Sequence, residues 1–348
     1  MKKYLIMVAS LLLSVMGWAD DKPGLVVGIT VNQFYPEWLS IYKNDLGAEG
    51  FNRIMREGKK SMADYNYLFS QTGMDQATIY TGLLPVSHGI VAHDWLDRLS
   101  GKRVNNTESE EYVEIGEGDS LKGYSPEHLQ ALSLGCMMKM NNLFSKVYSV
   151  GMNPEEVVLS GGSCADLALW FNEKSGKWVS SRYYADSLPG WVKEFNNTSA
   201  SDFFVKRGWM PLAEEEGNSL MLKLKNKVGI GSSFYYDIAQ IKRKFNTYRV
   251  LKATPYANTM VTDLAIALIA EAGLGKDNDT DLLTLNYSSL DYMNRDFGVY
   301  AKEFQDMVVR LDRDIARLLS VLDAQVGKGN YTVVLTFSEA RELLPEEL

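Results

Sequence analysis

The sequence predicts an α/β fold: a mostly parallel sheet covered by helices on both faces, with an inserted cap region. Three observations predict it. Short, near-continuous apolar runs, such as Leu25–Val31 and Tyr331–Phe337, alternate with longer segments of helical spacing. Strands that are apolar along their whole length are buried on both faces, the condition of a parallel sheet between helical layers. The stretch from about 100 to 245 is rich in Tyr, Trp, Gly and Asn and has weaker periodicity, which marks cap structure.

The first nineteen residues stand outside this alternation. Lys2 and Lys3 precede an apolar stretch from Tyr4 to Trp18, short for a membrane span, and the small residues Gly17 and Ala19 precede Asp20. The pattern predicts a signal peptide, residues 1–19, cleaved after Ala19. The mature chain, 20–348, is then a single domain, periplasmic or secreted, with no stable membrane span. An uncleaved N-terminal anchor is the alternative.

Along the mature chain, GLVVGITV (24–31) is a strand, and WLSIYKNDLGAEGFNRIMREG (38–58) carries helical spacing up to Gly58. MDQATIYTGLLP (74–85) predicts a helix stopped by Gly82 and Pro85. KVYSVGM (146–152) and GNSLMLKL (217–224) are strand candidates. Residues 254–275 form an amphipathic helix that stops at Gly273 and Gly275. A strand over 280–292, a helix over 303–327 and a strand over 331–337 complete the order.

Composition narrows function. The chain has 348 residues, 46% hydrophobic and 23% charged, enough to build a sizeable core. A net charge of −8 argues against nucleic acid or an anionic membrane as the main partner. The two cysteines, Cys136 and Cys164, fit either a bridge in an oxidising compartment or two small buried side chains, and they cannot make a zinc site by themselves. Gly161-Gly162-Ser163 is a turn and not a phosphate loop, since no Lys-Ser/Thr follows. Of the three histidines, His88 reads as hydrogen-bonded framework, and His93 lacks a visible third group to orient it as a base. The aromatic middle, including Trp170, Phe171 and Trp178, reads as cap core.

Several stretches resemble a known family. LVVGITVNQF, SQTGMDQATIYTGLLPVSHGIVAHDWLDR, NYSSLDYMNRDFG and RLDRDIARLLSVLDAQVGKGNYTVVLTF together resemble the alkaline phosphatase superfamily. Within it they are similar to the PafA-like periplasmic phosphatases of Bacteroidetes and to type I phosphodiesterase/nucleotide pyrophosphatases. The resemblance covers nearly all of residues 24–340 in order and implies an alkaline-phosphatase-like fold. It also implies phosphate ester hydrolysis by a Thr or Ser nucleophile beside two zinc ions held by Asp and His.

Residue by residue, that machinery is largely replaced. Where the family's first strand ends in Val-Asp-Gln, this chain has Val31-Asn32-Gln33, and an amide brings no negative charge. Where the family reads Thr-Ala-Pro-Gly-His, Thr72 stands at the nucleophile position in Thr72-Gly73-Met74-Asp75-Gln76, before a helix whose N-terminus favours an anion. Asp-Tyr-x-Gly-His has become Asp291-Tyr292-Met293-Asn294-Arg295, so Asp291 is retained as a ligand and Arg295 replaces a His. A guanidinium cannot coordinate zinc, and about 5 Å from a dication it is repelled by roughly 7 kcal/mol at an effective dielectric near 20. Thr-Ala-Asp-His-Gly has become Thr336-Phe337-Ser338-Glu339-Ala340, so Ser338 and Glu339 stand at two further ligand positions. The family's last His ligand lies downstream of the residues present here.

The phosphate grips differ too. His93 stands at the family's Asn position, and Asn153-Pro154-Glu155-Glu156 follows the strand after which the family has Lys and Arg; Lys174 is a displaced candidate. The expectation is therefore a non-catalytic pseudophosphatase acting by ligand or protein binding, with no cofactor. The alternative is a phosphate mono- or diester hydrolase with Thr72 as nucleophile and an altered two-zinc site, for which phosphate esters are the substrate. The sheet edge near the C-terminus is expected to be a protein-binding surface.

Overall fold

The computed structural model describes residues 22–63, 65–67, 70–116, 123–212, 234–293 and 301–338. The leader, the strand expected over 217–224, Arg295 and Glu339 lie outside the described residues.

Among the described residues, seven strands form one sheet. They are β1 (Leu25–Asn32), β2 (Glu114–Ile115), β3 (Val147–Gly151), β4 (Leu167–Asn172), β5 (Lys177–Ser181), β6 (Asp281–Tyr287) and β7 (Tyr331–Ser338). Their spatial order is β7-β1-β6-β3-β4-β5-β2. Neighbours from β7 through to β4 are parallel. The β4–β5 and β5–β2 pairs are antiparallel. Every residue of β6 is buried, and in β1 only Val26 is partly exposed, which accounts for their unbroken apolar sequence.

Five helices matter to the site: α1 (Phe51–Glu57), α2 (Thr72–Thr81), α3 (Pro154–Gly161), α4 (Pro255–Glu271) and α5 (Lys302–Leu322). α4 and α5 pack side by side against Val27, Ile29, Leu283 and Leu285 in the main core. α2 and α3 pack together on the opposite face, where the Tyr80 ring lies against Gly28 of β1 and the Ser160 hydroxyl meets Thr284 of β6. The sheet is thus covered on both faces, as the apolar strands require.

The helix read over 38–58 is two. Trp38–Ile41 and α1 are separated by turns, because Asp312 of α5 accepts hydrogen bonds from Gly47 N and Phe51 N, each at 2.7 Å. The carboxylate caps the start of α1, and the chain must leave helical geometry to reach it. α2 begins at Thr72, two residues earlier than its apolar spacing indicated, and ends at Gly82, whose φ of 69° is the left-handed conformation glycine adopts at little cost. The strand read over 280–292 stops at Tyr287 and gives way to a 3₁₀ turn, Ser289–Tyr292. Residues 147–151, 167–172 and 177–181, within the stretch read as cap, are strands of the main sheet. Two small ribbons, Asp94–Leu96 with Arg103–Asn105 and Glu108–Ser109 with Gly123–Tyr124, lie outside it. Cys136 and Cys164 form a disulfide.

Candidate functional site

The carboxyl ends of the parallel strands bring the site together, the usual place for it in an open α/β sheet. β1 ends at Asn32, and the chain turns sharply at Gln33, a non-glycine residue held at a φ of 55°. β6 leads into the turn that carries Asp291 and Tyr292. β3 leads to Asn153 and the first turn of α3, where Pro154 fits the N1 position and Glu155 and Glu156 face the positive end of the helix dipole. Thr72 sits in the first turn of α2. The backbone of Ser338 pairs with that of Asn32, placing the end of β7 beside the end of β1.

These ends open on a cavity of about 420 Å³. Thr72, Asp291, Glu155 and Glu156 form part of its wall. His93, Asn105, Glu108 and Tyr124 come from the two ribbons and their flanks, and Glu173 and Lys252 from the loop after β4 and the turn before α4.

A chain of hydrogen bonds runs through the wall. The Asn32 side-chain amide donates to Asp291 Oδ2 and to Glu156 Oε1, both at 3.1 Å. With two carboxylates facing it, the NH₂ end of the amide must point their way. Asn153 Nδ2 donates to the same Glu156 oxygen at 2.7 Å, and Asn153 Oδ1 accepts from Lys252 Nζ at 2.9 Å and from the Tyr292 hydroxyl. Lys252 completes the chain with an ion pair to Glu173 at 2.8 Å. Both charged members at the centre are buried. Burial raises the Glu156 carboxyl to about 7, with the Asn153 hydrogen bond acting against it. Burial lowers the Lys252 ammonium, offset by Glu173.

A second group surrounds Thr72. Glu155 Oε2 lies 3.0 Å from His93 Nδ1, and Glu155 Oε1 accepts from the Asn106 amide. The carboxylate lies so close to the first turn of α2 that a Cβ at Gly73 would collide with it and with Asn106. The hydrogen bond to Glu155 raises the affinity of His93 for its proton. His93 therefore has the third group that its sequence did not disclose. Its other ring nitrogen, Nε2, faces Asn105 at 3.4 Å and Asp94 at 3.9 Å.

His88 is framework, as expected. It is fully buried, accepts from Ile90 N through Nδ1, lies 3.0 Å from Thr78 Oγ1 through Nε2, and burial lowers it to about 4.

Of the residues singled out from the sequence, Asn32, Thr72, His93 and Asp291 are brought to one place. Among the described residues that line the cavity, Lys252 is the lysine and Lys174 is not included. Sequence reading missed Lys252, Asn153, Glu173 and Tyr292. Asn153 and Tyr292 stood in segments that the resemblance had marked, Asn153-Pro154-Glu155-Glu156 and Asp291-Tyr292, but with no role of their own, and nothing marked Lys252 or Glu173.

The described residues do not fit a two-zinc site. Asn32 presents its donor end toward Asp291, where a metal would need an acceptor. Among the described residues, no three His, Cys, Asp or Glu side chains converge as a metal would require.

Residues 26–336 match the family model described as type I phosphodiesterase/nucleotide pyrophosphatase. A Myroides odoratus protein named calcium-transporting ATPase is 32% identical over 326 residues, 91% of this chain and 59% of that protein. Alkaline phosphatase PafA of Elizabethkingia meningoseptica is 31% identical over 326 residues, 91% of this chain and 60% of that protein. The crystal structure of wild-type alkaline phosphatase PafA superposes with a TM-score of 0.80 at 30% identity, covering 90% of this chain and 62% of that one. The chain thus spans about 60% of the length of these curated relatives. By sequence and by fold, it belongs to the type I phosphodiesterase/nucleotide pyrophosphatase family and is a PafA-like member of the alkaline phosphatase superfamily.

Proposed function

We propose that this protein is an exported pseudophosphatase, which keeps the family's cleft for ligand binding and has lost its hydrolytic chemistry. One observation carries the reading: the Asn32 amide donates to both Asp291 and Glu156, at the position where the family carries a charged metal ligand. A neutral donor there links two carboxylates that would otherwise repel each other, which is the task a cation performs in an active relative. Glu155 supports the same reading. Its carboxylate lies beside Thr72 at the start of α2, the electrostatic position that favours a bound anion, and a phosphate dianion placed there would be repelled. Export rests on the leader pattern before Asp20. No helix among the described residues is long and apolar enough to cross a membrane.

The test is turnover of p-nitrophenyl phosphate in zinc-supplemented buffer by the wild type and by Thr72→Ala. Equal, background-level rates are expected. Turnover that disappears in Thr72→Ala would make the protein a hydrolase with an altered metal site.

A further inference from the structure

Two helices away from the cleft carry a basic surface on an acidic molecule. The helix Ala200–Arg207 ends in Lys206 and Arg207, and the helix Ile238–Phe245 ends in Lys242, Arg243 and Lys244. They pack against each other and turn Phe204, Val205 and Ile238 into the main core, which leaves their other sides on one stretch of surface. Two contacts set their direction. Asp202, in the first turn of the first helix, accepts from Lys242 Nζ at 3.5 Å. The ring of Tyr235, just before the second helix, lies against Gly208, just after the first. The pair is therefore antiparallel, with a basic end at each extremity of the strip.

Cations in a last helical turn complement the helix dipole, and that alone accounts for a basic, solvated end. It does not account for the rings beside them. Phe203, Tyr235 and Phe245 are 57%, 58% and 62% exposed. The Arg207 guanidinium lies over the Phe203 ring, 5.9 Å from its centroid, and Lys244 Nζ lies 5.1 Å from that of Phe245. Lys206, Arg243 and Lys244 make no ion pair among the described residues, while the acids nearby are engaged: Asp202 with Lys242 and Tyr248, and Asp237 as the cap of its own helix. Because the charges are spread along the strip and do not converge, they suit an extended anionic plane better than a small anion. Exposed rings among lysines and arginines suit a bilayer surface, where aromatic side chains settle at the headgroup level and the cations reach the phosphates. The net charge of −8 does not forbid this, since charges farther away than about 10 Å are screened at ~0.1 M salt.

We propose that this two-helix strip docks the protein on an anionic phospholipid surface, with Phe203 and Phe245 entering the headgroup layer and Lys206, Arg243 and Lys244 facing lipid phosphates. The attachment is peripheral, as no helix among the described residues is long and apolar enough to cross a membrane. The strip also leads to the cleft. Tyr248 N donates to the Glu173 carbonyl at 2.8 Å, and Lys252 follows in the next turn, so two residues of the cleft wall are tied to the end of the docked strip. The proposal is independent of whether the cleft hydrolyses phosphate esters.

Sedimentation of the whole protein with vesicles of equal parts phosphatidylcholine and phosphatidylglycerol tests this, with pure phosphatidylcholine vesicles and a single-stranded oligonucleotide as controls. The protein should bind the anionic vesicles at least ~10-fold more strongly than the neutral ones, with the preference shrinking as salt rises. Arg243→Glu with Lys244→Glu should weaken that binding at least ~10-fold, each basic residue near such a surface being worth about fivefold. Phe203→Ser with Phe245→Ser should weaken it at least ~5-fold, a loss that a merely solvated basic face would not show. All four positions are exposed, and circular dichroism checks that both variants fold; if one does not, the other decides. The proposal is overturned if the anionic vesicles are not preferred, or if a folded variant binds them like the wild type. It is equally overturned if the oligonucleotide binds more tightly than the vesicles, which would assign the strip to nucleic acid.

Discussion

Asn32 and Glu155 carry most of the functional argument at the scale of single residues. Replacing Asn32 with Asp adds a third carboxylate within hydrogen-bonding distance of Asp291 and Glu156. Like charges at that range cannot all ionise cheaply, so Asn32→Asp should lose about 3 kcal/mol at pH 7, and the loss should shrink at pH 5 as the cluster protonates. Urea unfolding at the two pH values reads this directly. Removing Glu155 should have the opposite effect on anions: Glu155→Ala is expected to bind inorganic phosphate at least ~10-fold more tightly than the wild type, about 1.4 kcal/mol, by calorimetry. These two positions were legible in the sequence because each replaces a residue type whose charge the chemistry requires. Lys252 was not legible. Its place depends on Asn153, 99 residues away, and on Glu173, and no local pattern announces a buried lysine.

At the scale of elements, legibility followed how local the cause was. β1 and β6 show as apolar runs because burial on both faces selects each residue independently; β7 reads the same way from its β-branched and apolar residues, yet it is the edge strand, with Thr332 and Val334 exposed. The end of α2 shows because Gly82 sits next to the helix it stops. The break between Trp38–Ile41 and α1 does not show, since its cause is Asp312, 261 residues from Phe51. Asp312→Ala should therefore cost about 2–3 kcal/mol in chemical denaturation, because it strips two backbone N–H groups of their acceptor and uncaps α1. The disulfide belongs to this scale as well. It closes a loop of sequence separation 28, so Cys136→Ser with Cys164→Ser should lower stability by about 3–4 kcal/mol. Two cysteines alone left pairing open, since a bridge depends on where the backbone brings them.

For the whole molecule, two buried groups away from the cleft set opposing slopes of stability with pH. Burial raises Asp314 to about 7, despite its hydrogen bond from Thr259. An unfolded Asp titrates near 3.9, so the native state holds the extra proton between those values and stability falls as pH rises from about 4 to about 7. His88, lowered to about 4 by burial, does the reverse: stability falls as pH drops from about 6.5 toward 4. Asp314→Asn should remove the first slope and leave the variant on the order of 2 kcal/mol more stable than the wild type at pH 8, with little difference at pH 4, in thermal or urea unfolding. The retained fold and the remodelled cleft meet in one question, whether this scaffold still holds metal. Zinc per chain, counted by elemental analysis after equilibration with zinc and removal of the unbound ion, answers it. A value well below one ion per chain is expected with Asn32 at the end of β1. One or two tightly held zinc ions per chain would contradict that reading and return the protein to the hydrolases of its family.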